Sequence, residues 1–258
     1  MRTIYITADD FGYNRAVDDA VLELIADGQL SGTACMTRAP GWPAAAARIG
    51  AHAGQAGFGL HLDFTEFAPQ RRSLWTLIGA SLARRLDPLQ LRSEIAAQCA
   101  LFEDVCGRVP DYVDGHQHVH QLPQIREALI EVLAARYAGR LPWLRISGAR
   151  IGDGAKSLFI AALGAGALER LASSARMRSL PRLLGAYDFD GDTADYRQHL
   201  AAWLDRAGEG DAVMCHPATQ ALPGDPIGAA RVREYAVLRT HLPGLMAATG
   251  TRLGTLHR

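Results

Sequence analysis

Residues 111–120 read Asp-Tyr-Val-Asp-Gly-His-Gln-His-Val-His, so three of the chain's nine histidines fall within five positions. In an extended run, the side-chain period of two puts Asp114, His116, His118 and His120 on one face and Val113, Gly115, Gln117 and Val119 on the other. Stacked imidazoles gain nothing in packing and each ring nitrogen needs a partner, whereas neutral imidazole is a common ligand for borderline divalent ions. A single ion cannot take all three. Alternate side chains of a strand stand about 6.5–7 Å apart, too far for donors that must each lie about 2.0 Å from the metal, so other ligands are expected from elsewhere in the chain.

Asp9-Asp10, ahead of Phe11-Gly12, is the second place where chemistry could collect. Paired aspartates before a glycine also make ordinary turns and helix caps. In company with the histidines a different reading is open: two adjacent carboxylates in a dry pocket resist joint ionisation unless a cation is shared. A division into one ligand and one base relieves the repulsion. His61 and Asp63, Arg145 and His216 complete the candidates, with His118, His120, Asp63 and Asp114 expected in supporting positions around them.

The elements that must position these residues follow from the hydrophobic pattern. β-rich runs at 3–8, 30–37, 57–64, 111–119, 143–147, 186–190, 212–215 and 252–256 alternate with helical patterns at 16–25, 44–49, 88–106, 124–137, 193–207 and 228–240. Residues 150–185, rich in Ala, Gly, Leu and Arg, read as loop and helix. Seven or eight β–α units without a linker or composition shift predict an α/β fold, a single distorted TIM-barrel-like (β/α) barrel filling residues 1–258. Segment 66–87 breaks the rhythm with Pro69, Arg71-Arg72, Trp75 and Arg84-Arg85, and is expected to be a lid inserted after the third strand. In this arrangement Asp9, Asp10, His61, Asp114, the histidines after it, Arg145 and His216 all sit at the carboxyl ends of strands, where barrel active sites assemble.

Composition narrows the partners. The 27 basic residues balance 27 acidic ones with no basic block, which argues against nucleic acid or an anionic membrane and leaves a neutral small molecule or sugar. An apolar fraction of 48 % supports a full core. The four cysteines show no C-x-x-C spacing and read as reduced thiols. No long apolar run suggests a membrane span, and Met1–Ile6 enters a strand pattern without the apolar core of a signal peptide, so a cytoplasmic protein is expected. A homodimer stands as one assembly open to it.

Four ordered motifs carry a resemblance: Thr7-Ala8-Asp9-Asp10-Phe11-Gly12, Gly59-Leu60-His61-Leu62, Asp114-Gly115-His116-Gln117-His118-Val119-His120 with Pro123, and Met214-Cys215-His216-Pro217. Together they resemble the YdjC-like family of carbohydrate deacetylases, from near the first residue to about residue 240. The resemblance implies a distorted barrel that binds one divalent metal ion, Mg²⁺ or Zn²⁺, and removes acetyl groups from N-acetylated sugars or oligosaccharides. It implies Asp10, His61 and His116 as metal ligands, Asp9 as general base and His216 as general acid. Gly115 and Gln117 stand where relatives carry Ser and His, which leaves the proposed ligands intact and changes the surroundings of residue 117. The competing expectations are a metal-dependent esterase or phosphoesterase, with the two arginine pairs as phosphate partners, and a non-catalytic carbohydrate-binding protein.

Overall fold

The chain opens on its longest strand, β1 (Arg2–Phe11), and the computed structural model, which describes residues 1–257, places the remaining strands on either side of it. Asn14 stops the strand and caps α1 (Arg15–Ala26): its side chain accepts the Val17 N–H, while Asp18 in the first turn accepts the Gly12 N–H at 2.7 Å. The face predicted from the 3.6-residue period, Ala16, Val17, Ala20, Val21, Leu24 and Ile25, is the buried one. There follow β2 (Gly32–Cys35), α2 (Trp42–Ala46), β3 (Gly57–Leu62), α3 (Leu74–Leu82), α4 (Pro88–Cys106), β4 (Tyr112–Gly115), α5 (Ile125–Arg136) and β5 (Trp143–Arg145). The rest of the chain gives α6 (Ala155–Ala162), α7 (Ala165–Ser174), β6 (Ser179–Leu180), β7 (Leu183–Leu184), α8 (Thr193–Arg206), β8 (Ala212–Cys215), α9 (Gly228–Thr249) and β9 (Thr251–Leu253).

The strands pair in the order β6-β5-β4-β3-β2-β1-β8-β7, all parallel, with β9 beside the first residues of β1. Only Pro181 and Arg182 separate β6 from β7. One short stretch therefore pairs with β5 at its start and with β8 at its end, which draws the sheet into the nearly closed, distorted barrel expected of the β–α alternation. Proline has no N–H to give a ladder, and it sits in the break between the two pairings. The sixth strand is thus at 179–184 and not at 186–190. Gly185, at a φ of 103°, turns the chain away, and residues 186–190 run as irregular backbone beside the barrel mouth.

Two apolar layers surround the sheet, one where α1, α8 and α9 meet β1, the other where α4, α5 and α7 meet β3 and β4. Tyr112 helps fill the barrel with Ala34, Leu180 and Met214, and Gly59 makes room for it: a Cβ there would lie 2.7 Å from the Tyr112 ring. In segment 66–87, the Asp63 carboxylate accepts the N–H groups of Thr65, Glu66, Phe67 and Ala68, folding a tight turn straight after β3. Ser73 then caps α3, whose Trp75 remains 69 % exposed. Among the described residues, no helix is long and apolar enough to cross a membrane.

Candidate active site

β1 pairs with β2 in regular register at Thr7 and Ala8, and the register slips between Ala8 and Phe11. Asp10 sits at that bulge with a φ of 69°, a conformation that costs a non-glycine residue on the order of 1–3 kcal/mol. Neighbouring side chains of a flat strand point to opposite faces, yet Asp9 and Asp10 line the same cavity. The strained bulge is what brings both carboxylates to one site.

The histidine run departs from the extended strand its alternation predicts. β4 ends at Gly115, and residues 116–121 form a tight helical turn in which Gln117 and His118 take left-handed φ values of 51° and 61°. The turn sends the three imidazoles in different directions. His116 meets Asp10; His118 Nδ1 lies 2.8 Å from Ser147 Oγ; His120 folds back so that its Nε2 bonds the Arg145 carbonyl at 3.0 Å. Glycine at 115 permits the fold-back, since a Cβ there would sit 2.9 Å from the His120 Cβ.

Asp10, His61 and His116 each offer a ligand atom within 4.8 Å of the others. Asp10 Oδ1 is 3.1 Å from His116 Nδ1 and 3.5 Å from His61 Nε2. Donors sharing one ion at about 2.0–2.2 Å stand roughly 2.9–3.6 Å apart, so both separations fit a common cation. The other nitrogen of His61, Nδ1, lies 2.6 Å from Asp114 Oδ1, the carboxylate–imidazole pairing that orients a ligating ring and leaves Nε2 toward Asp10. Asp9, His61 and Asp114 also bring donor atoms within 4.8 Å, but there Asp114 is already engaged with His61 and with Arg145. The donor set of one carboxylate and two imidazoles therefore suits a divalent ion, and it leaves coordination positions open.

Arg145 works from below this cluster. Its Nη2 donates to Asp9 Oδ2 at 2.7 Å and lies 2.6 Å from Asp114 Oδ2 as an ion pair without aligned hydrogen-bond geometry; Nη1 donates to Thr7 Oγ1 at 2.9 Å. Among the described residues, Asp9 Oδ1 has no hydrogen-bond partner. His216 Nε2 is 3.8 Å from Asp9 Oδ2. Two α9 residues that the sequence reading did not single out join here. Arg231 donates to Asp10 Oδ2 at 2.7 Å and to Asp225 at 2.8 Å, with its guanidinium over the Tyr13 ring. Glu234 accepts the His216 backbone N–H at 2.6 Å and the Tyr187 hydroxyl at 2.7 Å.

The charges explain the protonation states. Burial opposes ionisation of Asp10, but Arg231, His116 and His61 outweigh it and hold the carboxyl well below its usual range. Burial likewise works against the His61 cation, yet Asp114 and Asp10 raise its pKa to about 10. Without an ion, a proton on His61 supplies the positive charge that the surrounding carboxylates call for. Burial lowers His216 and His120 to about 4 and His118 well below 6.5, so all three are neutral near pH 7. Burial raises Glu234 to about 7 despite the His216 N–H and the hydroxyls of Tyr187 and Tyr196 that it accepts.

Asp9, Asp10, His61, His116 and His216, the five residues expected in the site, all line one cavity of about 470 Å³, together with Gln117, His118 and Arg231. Asp114, Arg145 and His120 lie beneath it. Asp63 stands apart as the organiser of the 64–68 turn, and none of Arg71, Arg72, Arg84 and Arg85 lines the cavity.

A parallel barrel with an Asp/His cluster at the carboxyl ends of its strands defines the class of protein. The chain belongs to the YdjC-like protein family, whose profile matches residues 3–241. It is 30 % identical to a carbohydrate deacetylase of Geobacillus stearothermophilus over 98 % of this chain and 96 % of that one. It is 31 % identical to the human carbohydrate deacetylase over 51 % of this chain and 45 % of that one; the matched stretch spans about half the length of most of the curated relatives. Among solved structures, an Enterococcus faecalis protein provisionally named for cellobiose-phosphate cleavage superposes with a TM-score of 0.73 at 21 % identity, covering 99 % of this chain and 97 % of that one. A family 4 acetyl xylan esterase of Clostridium thermocellum, solved with a cobalt ion, gives 0.51 at 13 % identity over 99 % and 88 %; both likenesses concern the fold.

Proposed function

We propose that the protein is a metal-dependent carbohydrate N-deacetylase, removing acetyl groups from N-acetylated sugars or oligosaccharides. The observation that carries this reading is the Asp10–His61–His116 cluster with Asp9 and His216 beside it in one cavity. The names of the family relatives support it. Asp10, His61 and His116 would hold one divalent ion, Zn²⁺ on the softness of two imidazoles or Mg²⁺ on the family resemblance. When bound, such an ion lowers the pKa of a water and polarises the acetamide carbonyl. Asp9, fixed through Oδ2 by Arg145 and free at Oδ1, takes the proton from the attacking water. His216 is neutral at rest, so it protonates the departing amine only after gaining a proton in the same turnover; Asp9, 3.8 Å away, is the neighbour placed to hand one over. Residues 66–87 form a lid over the single catalytic domain, with Glu66 and α3 contributing to the cavity wall.

A phosphoesterase reading loses its sequence motive, because the arginine pairs lie away from the cavity and Arg231 is already engaged with Asp10 and Asp225. The test is acetate release from a panel of N-acetylated mono- and oligosaccharides by protein stripped with chelator and reloaded with Zn²⁺ or Mg²⁺. Release that depends on the ion and disappears in Asp9→Asn supports the proposal. No acetate from any sugar under any ion overturns it, and binding without release would favour the carbohydrate-binding alternative.

A further inference from the structure

The two oxygens of Asp10 keep different company. Oδ1 faces both candidate imidazoles, 3.1 Å from His116 Nδ1 and 3.5 Å from His61 Nε2, whereas Oδ2 accepts a hydrogen bond from Arg231 Nη2 at 2.7 Å. Two further contacts fix that guanidinium. Asp225 Oδ2 accepts from its Nε at 2.8 Å, and the guanidinium carbon lies 5.3 Å from the centroid of the Tyr13 ring. Arg231 and Asp10 are both buried, so the charges between them are little screened by solvent. Arg231, Asp225 and Tyr13 belong to none of the four ordered motifs.

This clamp limits what Asp10 offers an ion. A carboxylate binds a metal through one oxygen or through both, and the second mode serves ions that gather six or more oxygens. An ion drawn onto Oδ2 as well would approach a fixed cation that Asp225 and Tyr13 keep from retreating, and like charges in a buried site repel strongly. What remains is Oδ1 with two imidazoles, a set that suits a low-coordinate ion completed by water and undersupplies one that prefers six oxygens. We propose that Arg231 is a positioning residue that confines the ion to Asp10 Oδ1 and thereby biases the site toward Zn²⁺ or Co²⁺ over Mn²⁺. The inference rests on the metal-dependent reading above and adds which ions the site selects and by what residue.

Zn²⁺ outbinds Mn²⁺ at most nitrogen and oxygen sites, so the test is the change in their affinity ratio and not the ratio itself. Chelator-buffered titrations of the full chain at one pH give both dissociation constants. Proton competition at His61 and the loss of a positive charge act on both dications alike and cancel in the ratio. The visible absorption of the Co²⁺ form, which weakens as coordination number rises, is an independent readout. Arg231→Met should narrow the preference for Zn²⁺ by at least about tenfold, the lower end of what a group bonded to a ligand is worth in affinity, and should weaken the Co²⁺ band. Asp225→Asn removes a partner of the same guanidinium but leaves its bond to Asp10, so the ratio should move by less than about twofold. If Arg231→Met does not keep native circular dichroism, Arg231→Gln, which removes the charge, is measured in its place with the same direction expected. A smaller change in the folded Arg231 variant, an equal change in Asp225→Asn, or a Co²⁺ band that keeps its intensity overturns the inference and leaves the deacetylase reading standing. A wild type that retains none of the three ions overturns the metal-dependent reading, and the inference with it.

Discussion

Exchanging Asp114 for Asn isolates what this carboxylate does for the ion site. With His61 held at about 10, an ion arriving at pH 7 must displace a proton that is favoured by roughly 10³, the three pH units between the two values. Apparent metal affinity should therefore climb about tenfold per pH unit from pH 7 to 9 and level off near 10. Asp114 is the largest of the charges raising that pKa, so Asp114→Asn should flatten the climb. It also takes away the charged acceptor of the His61 Nδ1–H, a loss worth about 10–100-fold in affinity once proton competition has ended. The two effects oppose each other at pH 7 and cease to do so only once the pH passes about 10. The wild type's advantage should accordingly be about 10–100-fold on the alkaline plateau and should shrink or vanish at neutral pH. Chelator-buffered Zn²⁺ or Co²⁺ titrations at three pH values, on protein with native circular dichroism, measure this directly. A wild-type affinity that is flat from pH 7 to 9, or a deficit in the variant that is the same at every pH, would refute the reasoning.

Three further outcomes are expected. His116→Ala should abolish stoichiometric metal retention after dialysis, while His118→Ala and His120→Ala should keep it, because those rings bond Ser147 and the Arg145 carbonyl; elemental analysis decides, and equal losses in all three would reject His116 as the distinct ligand. Asp9→Asn and His216→Ala should each lower kcat by about 10²–10⁴ with the ion retained, and a variant with wild-type kcat would remove that residue from proton transfer. For the metal-free protein, His118, His120 and His216 have folded-state pKa values below the unfolded 6.5, so the stability they confer is present above pH 6.5 and is lost as pH falls toward 4. Glu234, raised from 4.5 to about 7, and Asp18, raised by burial from 3.8 to about 6, act in the opposite sense over much of that range, but the three imidazoles outnumber the two carboxyls. Urea midpoints should therefore drop between pH 6.5 and 4, and a midpoint that holds steady or rises would contradict these buried neutral rings.

The barrel and the floor of its cavity were legible because both rest on local rules. β–α alternation announces a parallel sheet, and carboxyl ends of parallel strands gather side chains that are far apart in sequence, as Asp10, His61, His116 and His216 are. What the alternation rule could not supply was backbone handedness. A period of two in residues 112–120 predicts one face of imidazoles, whereas two left-handed residues, Gln117 and His118, scatter them, and neither is the glycine that usually signals a positive φ. Asp10 is the same problem at smaller scale: only its positive φ turns adjacent aspartates to one side. The closing strand at 179–184 was hidden by Pro181, which reads as a break and is one, between two pairings of two residues each. Arg231 and Glu234 had a signal that was there to be used. They share a helix face with Leu238 and Leu242 at spacings of three, four and four, so two charges lie on the buried stripe of α9. Such charges are retained when they have partners, and theirs are Asp10 and His216, the ligand candidate and the proposed proton carrier. α9 thus does more than close the fold: it carries to the site one cation that holds Asp10 ionised and one carboxyl that pins the His216 backbone.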